Sequence, residues 1–291
     1  MWSCSNVGSA VECADREGSS MWEQPYYRLS VNAARQHGLI TQAQANRVGV
    51  DDVMLAHFQE SGLIHRLDWS VYQISGSTYG PRYSFPYAAW LAMAPESFRW
   101  ERPGNLAEDV VLSHESACAL VGFGSLGTPV VRFTSATERP VPRAVRVEVA
   151  TLTQDDVMVH EGVPVTTPHR TILDLVAESA ARDDIARVVT DAIRKNLVSL
   201  RLLYEDLTDM ANEYRLPTGG VHFIDYFMPE VRPQSLSPRN LRAYAELALP
   251  QKVAEVRPRV DRLLRELRGE SNSADGRLAA EIAAEIAGRT A

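Results

Sequence analysis

The first clear helical period of apolar residues covers residues 29–36 and stops at Gly38. The pattern resumes as two shorter pieces in LITQAQANRVGVDDVMLAHFQESGLIHRL, residues 39–67. Thr41 is an apt N-cap for the first piece, and Asp51 or Asp52 for the second. Ala45 offers the small side chain that a close helix crossing requires, and Gly49, four residues later, suits a tight turn. Val48, Val50, Leu55 and Phe58 have the spacing of the inner faces, so the stretch predicts a helix-turn-helix. Residues 63–68 and 71–74 then alternate apolar and polar around Asp68-Trp69-Ser70, which predicts a hairpin. Three helices followed by a hairpin predict a winged helix-turn-helix over residues 21–95.

Further along, a helix is expected over residues 87–93 and another over 114–121, with Ser113 as its cap and Glu115 early in it. PVVRFTSAT, AVRVEVATL, VMVHEG and VPVTT read as four short strands, rich in Val and Thr and punctuated by Pro, Asp or Gly. Thr167 then caps a helix that opens on Pro168. More helices are expected over 183–214, 240–268 and 279–287. The fold class is α+β: the winged helix-turn-helix, a mixed α/β domain over 100–235 and a helical C-terminal segment over 236–291. Residues 1–20 are small, polar and aperiodic, and are expected to form a flexible leader, with Met21 an alternative start.

Composition changes this picture little. The chain has 291 residues, is 45% hydrophobic and 23% charged, and has no stretch of roughly 20 apolar residues that would span a membrane. With no secretory signal pattern either, a cytoplasmic protein is expected. Three cysteines, Cys4, Cys13 and Cys118, are too few and too scattered for a disulfide framework or a four-ligand zinc site. The net charge of −7 is concentrated, since residues 148–235 hold fifteen acidic side chains against eight basic ones. A nucleic-acid contact elsewhere in the chain is therefore not excluded.

If the second helix of the pair reads DNA, Asp52, Met54, His57 and Gln59 are its expected outward residues. Thr41, Gln42 and Arg47 on the first helix, with His65 and Arg66 on the hairpin, are the expected backbone contacts. GFGSLG, residues 122–127, spells the glycine spacing of a dinucleotide site. It follows a helix and precedes a strand, the reverse of what a pyrophosphate at a helix N-terminus requires, so it reads as a loop. His114, His160 and His169 have no metal-ligand spacing, and Ser113, His114 and Glu115 are neighbours rather than a triad; neither metal, cofactor nor catalytic residue is expected. In TTPHRTILD, Arg170 and Asp174 are four apart and predict an ion pair across one helical turn. RFTSATERPVPRAVR reads as a solvated hairpin carrying Arg132, Arg139, Arg143 and Arg146.

GLITQAQANRVGV, SVYQI, LSHESACALVGFG and VPVTTPHRTILDLV, in that order, resemble the successive motifs of AbiEi-type antitoxins of type IV toxin–antitoxin systems, over residues 29–196. The resemblance implies a winged-helix domain that represses its own operon by binding inverted repeats in double-stranded DNA. It also implies a second domain that neutralises a cognate nucleotidyltransferase-like toxin. Such a toxin must hold polyanions, so the acidic surplus, with Asp184, Asp191, Glu205 and Asp209, is the candidate surface toward it. The alternative is a winged-helix transcription factor whose second domain senses a ligand or protein. The tail has no spaced acid–acid–Lys cluster, so nuclease activity is not expected.

Overall fold

The computed structural model describes residues 9–124, 126–127, 129–268 and 273–291. Among them are thirteen α-helices and two sheets, a mixed α+β chain. It divides into two compact units, Met1–Leu112 with Pro129–Val165, and Ser113–Thr128 with Thr166–Ala291. No helix among the described residues is long and apolar enough to cross a membrane.

In the first unit, helix α1 (Ser9–Ala34) begins inside the segment expected to be a leader, whose residues 1–8 lie outside the described residues. Strand β1 (Leu39–Thr41) leads into α2 (Gln42–Arg47), and α3 (Asp52–Glu60) into β2 (Ile64–Arg66) and β3 (Val71–Ile74). The three strands form an antiparallel sheet in the order β1-β3-β2. Thr41 and Gln44 make a reciprocal cap: the Gln44 amide donates to Thr41 Oγ1 at 3.0 Å, and the Thr41 amide to Gln44 Oε1 at 3.1 Å. Asp51 caps α3, its carboxylate accepting from the Met54 amide at 2.9 Å. Gly49 turns between the two helices at φ +77°, a backbone region that costs other residues about 1–2 kcal/mol. Helices of six and nine residues are not stable alone. They persist because Leu29, Ala45, Val50, Leu55, Phe58 and Ile64 share one buried cluster, each large side chain contributing about 1.5–3 kcal/mol.

Helix α4 (Pro81–Ala92) starts earlier than its apolar period indicates, with Pro81 in the first turn where its missing N–H costs nothing. The second sheet contains β4 (Val111–Leu112), β5 (Val131–Ser135), β6 (Val145–Val149), β7 (Val157–His160) and β8 (Val163–Thr166), in the order β6-β5-β4-β8-β7. All four expected strands are present. The expected hairpin between the first two is not, because β5 and β6 pair in parallel, Val131 opposite Val145 and Ser135 opposite Val149. The connection carries Pro140 and Pro142, which keep it extended enough to run back along the roughly 17 Å length of a five-residue strand. Glu161 and Gly162 close β7 onto β8 with φ of +48° and +81°, the two positive values of a type I′ turn.

The second unit consists of α5 (His114–Val121), α6 (Pro168–Ala177), α7 (Arg182–Arg194), α8 (Leu200–Asp209), α9 (Ala211–Tyr214), α10 (Gly220–Phe227), α11 (Pro238–Ala248), α12 (Pro250–Arg268) and α13 (Ser273–Arg289). Its core joins Phe123, Leu175, Val188, Leu203, Phe223 and Leu241. Thr167 accepts from the Arg170 amide, and Arg170 pairs with Asp174 at 2.7 Å, as the motif predicts. Ser113 stands at the N-cap position of α5, but its hydroxyl lies 2.9 Å from His114 Nδ1 instead of capping the helix. Fully buried Asn240 ties α11 to the α7–α8 connection. It accepts from the Leu200 amide at 3.0 Å and donates to the carbonyls of Ile193 and Val198 at 3.2 and 3.0 Å.

Candidate nucleic-acid interface

The predicted contact residues all lie on or beside the α2–α3 pair and the β2–β3 hairpin, but they are engaged to different degrees. Thr41 is buried: its hydroxyl caps α2 and donates to the Pro95 carbonyl. Gln42 Nε2 donates to Asp52 Oδ1 at 2.7 Å, bridging the starts of the two helices. Arg47 is exposed yet held by a two-pronged contact to Glu101, at 2.7 and 2.9 Å, with its guanidinium 4.9 Å from the Phe98 ring centre. That contact, with the Phe98 amide, pushes the Glu101 carboxyl down to about 2.

Helix α3 is rotated relative to the expected outward set. Met54 packs against the buried cluster, and the half-buried His57 ring stacks on Trp22 of α1, centroids 4.1 Å apart. Asp52 and Gln59 are outward as expected, joined by Val53, Ala56 and Glu60 in place of Met54 and His57, with Val53 71% exposed. The cause is α1, which covers that flank. Trp22 was detectable in the sequence, because Trp22 and Tyr26, ahead of the predicted start, continue the helical spacing of Leu29 and Ala33.

His65 and Arg66 are exposed on β2, opposite Gln73 and Tyr72. The turn that follows is fastened rather than free: Trp69 Nε1 donates to the Arg143 carbonyl at 2.6 Å, and Arg143 pairs with Asp68 at 2.6 Å. Arg28 of α1 is a further cation that the sequence reading passed over. Its exposed guanidinium lies against the Gly49 turn, Nη1 3.4 Å from where a side-chain Cβ would stand. The surface around the helix pair thus presents Arg28, His65 and Arg66 together with Asp51, Asp52 and Glu60.

The four carboxylates considered for a protein partner lie in the second unit and do not act as one group. Asp184 pairs with Arg187 at 3.2 Å. Asp191 is held by Lys195 at 2.8 Å and by the Gly124 amide at 3.0 Å, so it anchors the glycine loop. Glu205 and Asp209 are exposed one turn apart on α8, where neighbouring Asp206 meets His169 at 2.6 Å. His114 is buried beside Glu178, 3.7 Å away. No group of three or more His, Cys, Asp and Glu side chains among the described residues is placed to hold a metal ion.

No protein-family model matches the chain, and no curated protein matches it. Among solved structures, the crystal structure of the RV2827C protein from Mycobacterium tuberculosis is similar over 89% of this chain and 80% of that one, at 11% identity and a TM-score of 0.35, a likeness too low to carry an argument about fold or function.

Proposed function

We propose that this chain is a sequence-specific DNA-binding protein of the cytoplasm that represses its own operon through a winged helix-turn-helix formed by α2, α3 and the β2–β3 hairpin. What supports this reading most is the pair of capped helices joined through the positive-φ Gly49 turn over a buried Ala45, with the exposed His65 and Arg66 on the next strand. Arg28, His65 and Arg66 supply phosphate contacts, which position the protein, while Gln59 and Asp52 face the bases, Asp52 accepting from a cytosine amino group. The test is a footprint on the promoter of the protein's own operon at low salt. Protection of an inverted repeat is expected, and an unprotected promoter rejects the reading.

In its finer form, the proposal makes the chain the antitoxin of a nucleotidyltransferase-like toxin, with no catalysis of its own. The sequence motifs support it, and exposed Glu205 and Asp209 on α8 are its candidate contacts. Glu205→Lys with Asp209→Lys, co-expressed with the product of the adjacent gene, is expected to impair rescue of growth. Unimpaired rescue removes this surface from the proposal.

A second reading, in which α3 docks a protein, is favoured by one observation: its outward face carries Val53 between Asp52 and Ala56, and no cation. Salt separates the two. Counterion release makes DNA binding fall steeply with ionic strength, and docking through Val53 does not.

A further inference from the structure

In the first unit a cleft of about 780 Å³ opens where the end of α1, the end of β3 and the chain entering α4 meet the β7–β8 turn. That volume is within the range of roughly 300–1,000 Å³ typical of small-molecule sites. Its walls include His37, Tyr79, Tyr83 and Glu161. The His37 and Tyr79 rings stack at 4.6 Å, and Tyr83 lies 5.9 Å from Tyr79 at a tilt of 31°. Tyr79 is fixed in place because its hydroxyl donates to the Glu161 carbonyl. His37 is fixed from behind, where its Nε2 lies 2.3 Å from the position of a Cβ on Gly162.

The charge of the lining is one-sided. Glu161 is its one charged side chain at neutral pH and enters no ion pair among the described residues. Burial, and then the nearby Arg99, lower the pKa of His37, so its ring adds no positive charge there; Glu161 opposes this shift. Arg82, outside the lining, has its guanidinium carbon 5.5 Å from the Tyr83 ring centre, and both Tyr79 and Tyr83 belong to the wall. A carboxylate beside electron-rich ring faces attracts cations and repels anions.

We propose that this cleft binds a small organic cation, a protonated amine on an aromatic or apolar body, with the ammonium group at Glu161 and the body against Tyr79 and Tyr83. Nothing in the proposal depends on DNA binding. The partners it needs are a single charge, two ring surfaces and the polar backbone of the turn, which together orient an amine from one end.

The test is calorimetric titration of the full chain with phenethylamine, and with its anionic counterpart 3-phenylpropionate. The amine is expected to bind saturably at one site and the carboxylate not at all. Glu161→Gln is expected to weaken the amine about fivefold, the scale of an exposed ion pair with some ring contribution, while leaving the melting temperature of the free protein unchanged. Tyr83→Leu tests the ring wall separately, and Glu161→Asn, which suits the positive φ, serves if Gln perturbs the turn. Equal binding of amine and carboxylate, no saturable binding of the amine up to millimolar concentration, or unchanged affinity in the folded Glu161 variants would each overturn the assignment.

Discussion

The Trp22 indole stacks on the His57 imidazole, centroids 4.1 Å apart and planes 22° apart, so that α1 fastens directly onto α3. Trp22 also meets Phe58 edge-on at 6.3 Å, which joins this contact to the buried cluster. The coupling is measurable by a double-mutant cycle. Trp22→Ala and His57→Ala are expected to show an interaction of about 0.5–1.5 kcal/mol in urea unfolding, the usual worth of an aromatic pair beyond its burial. A coupling indistinguishable from zero would mean that α1 does not hold α3 through these rings.

Arg102 and Asp109 form a buried ion pair at 2.9 Å, their side chains 4% and 3% exposed, with the guanidinium carbon 4.1 Å from the Trp90 ring centre. Removing one partner strands the other charge in an apolar setting. Arg102→Ala is expected to destabilise the chain by about 3–5 kcal/mol, whereas replacing both by Leu should cost much less, because desolvation of both ions is then avoided. If the single and double variants unfold at the same urea concentration, the pair does not act as described.

Gly49 and Gly162 both stand at positive φ, but they meet different surroundings. A Cβ at Gly49 approaches only the flexible end of Arg28, at 3.4 Å, so Gly49→Ala should cost only the backbone term of about 1–2 kcal/mol. At Gly162 the same Cβ falls 2.3 Å from His37 Nε2 and 3.2 Å from the Tyr87 ring. Gly162→Ala is therefore expected to be clearly the more destabilising of the two in parallel thermal melts, and the reverse order would contradict this packing.

His37 gives stability a pH dependence of known sign. Burial, followed by Arg99, lowers its pKa in the folded chain, while Glu161 pulls the other way. The unfolded chain therefore holds more protons at this site, and stability falls as pH drops below about 6.5, levelling off below the lowered folded value. His37 stands at φ +58°, which Asn accepts, so His37→Asn removes the titration and the slope of stability against pH should be shallower in the variant. Parallel slopes would assign the dependence elsewhere.

What was legible in the sequence was local. Thr41, Gly49 and Asp51 could be assigned because caps and turns depend on residues within a few positions. The four Val- and Thr-rich strands were visible for the same reason. Pairing was not: nothing within β5 or β6 states that they run parallel, and β1 and β4, of three and two residues, are too short to show a period. Helix α10 was missed although Phe223, Ile224 and Phe227 share a buried face, because it is only eight residues long and opens directly on the Pro217, Gly219 and Gly220 punctuation that signals a turn. The state of the contact residues was equally hidden. Glu101 reaches Arg47 across 54 positions, and Arg143 reaches Trp69 across 74, so whether a predicted cation is free or engaged depends on the assembled unit.

The most direct measurement of the central claim is a fluorescence-anisotropy titration of the full chain against a duplex from its own promoter and a scrambled duplex, from 50 to 300 mM salt. Tighter binding to the promoter is expected, with an affinity that falls steeply with salt and a uniform loss on both duplexes for Arg66→Ala or Arg28→Ala, each lowering the salt slope by about one. Equal, salt-insensitive binding to the two duplexes, or none at the lowest salt, would contradict it.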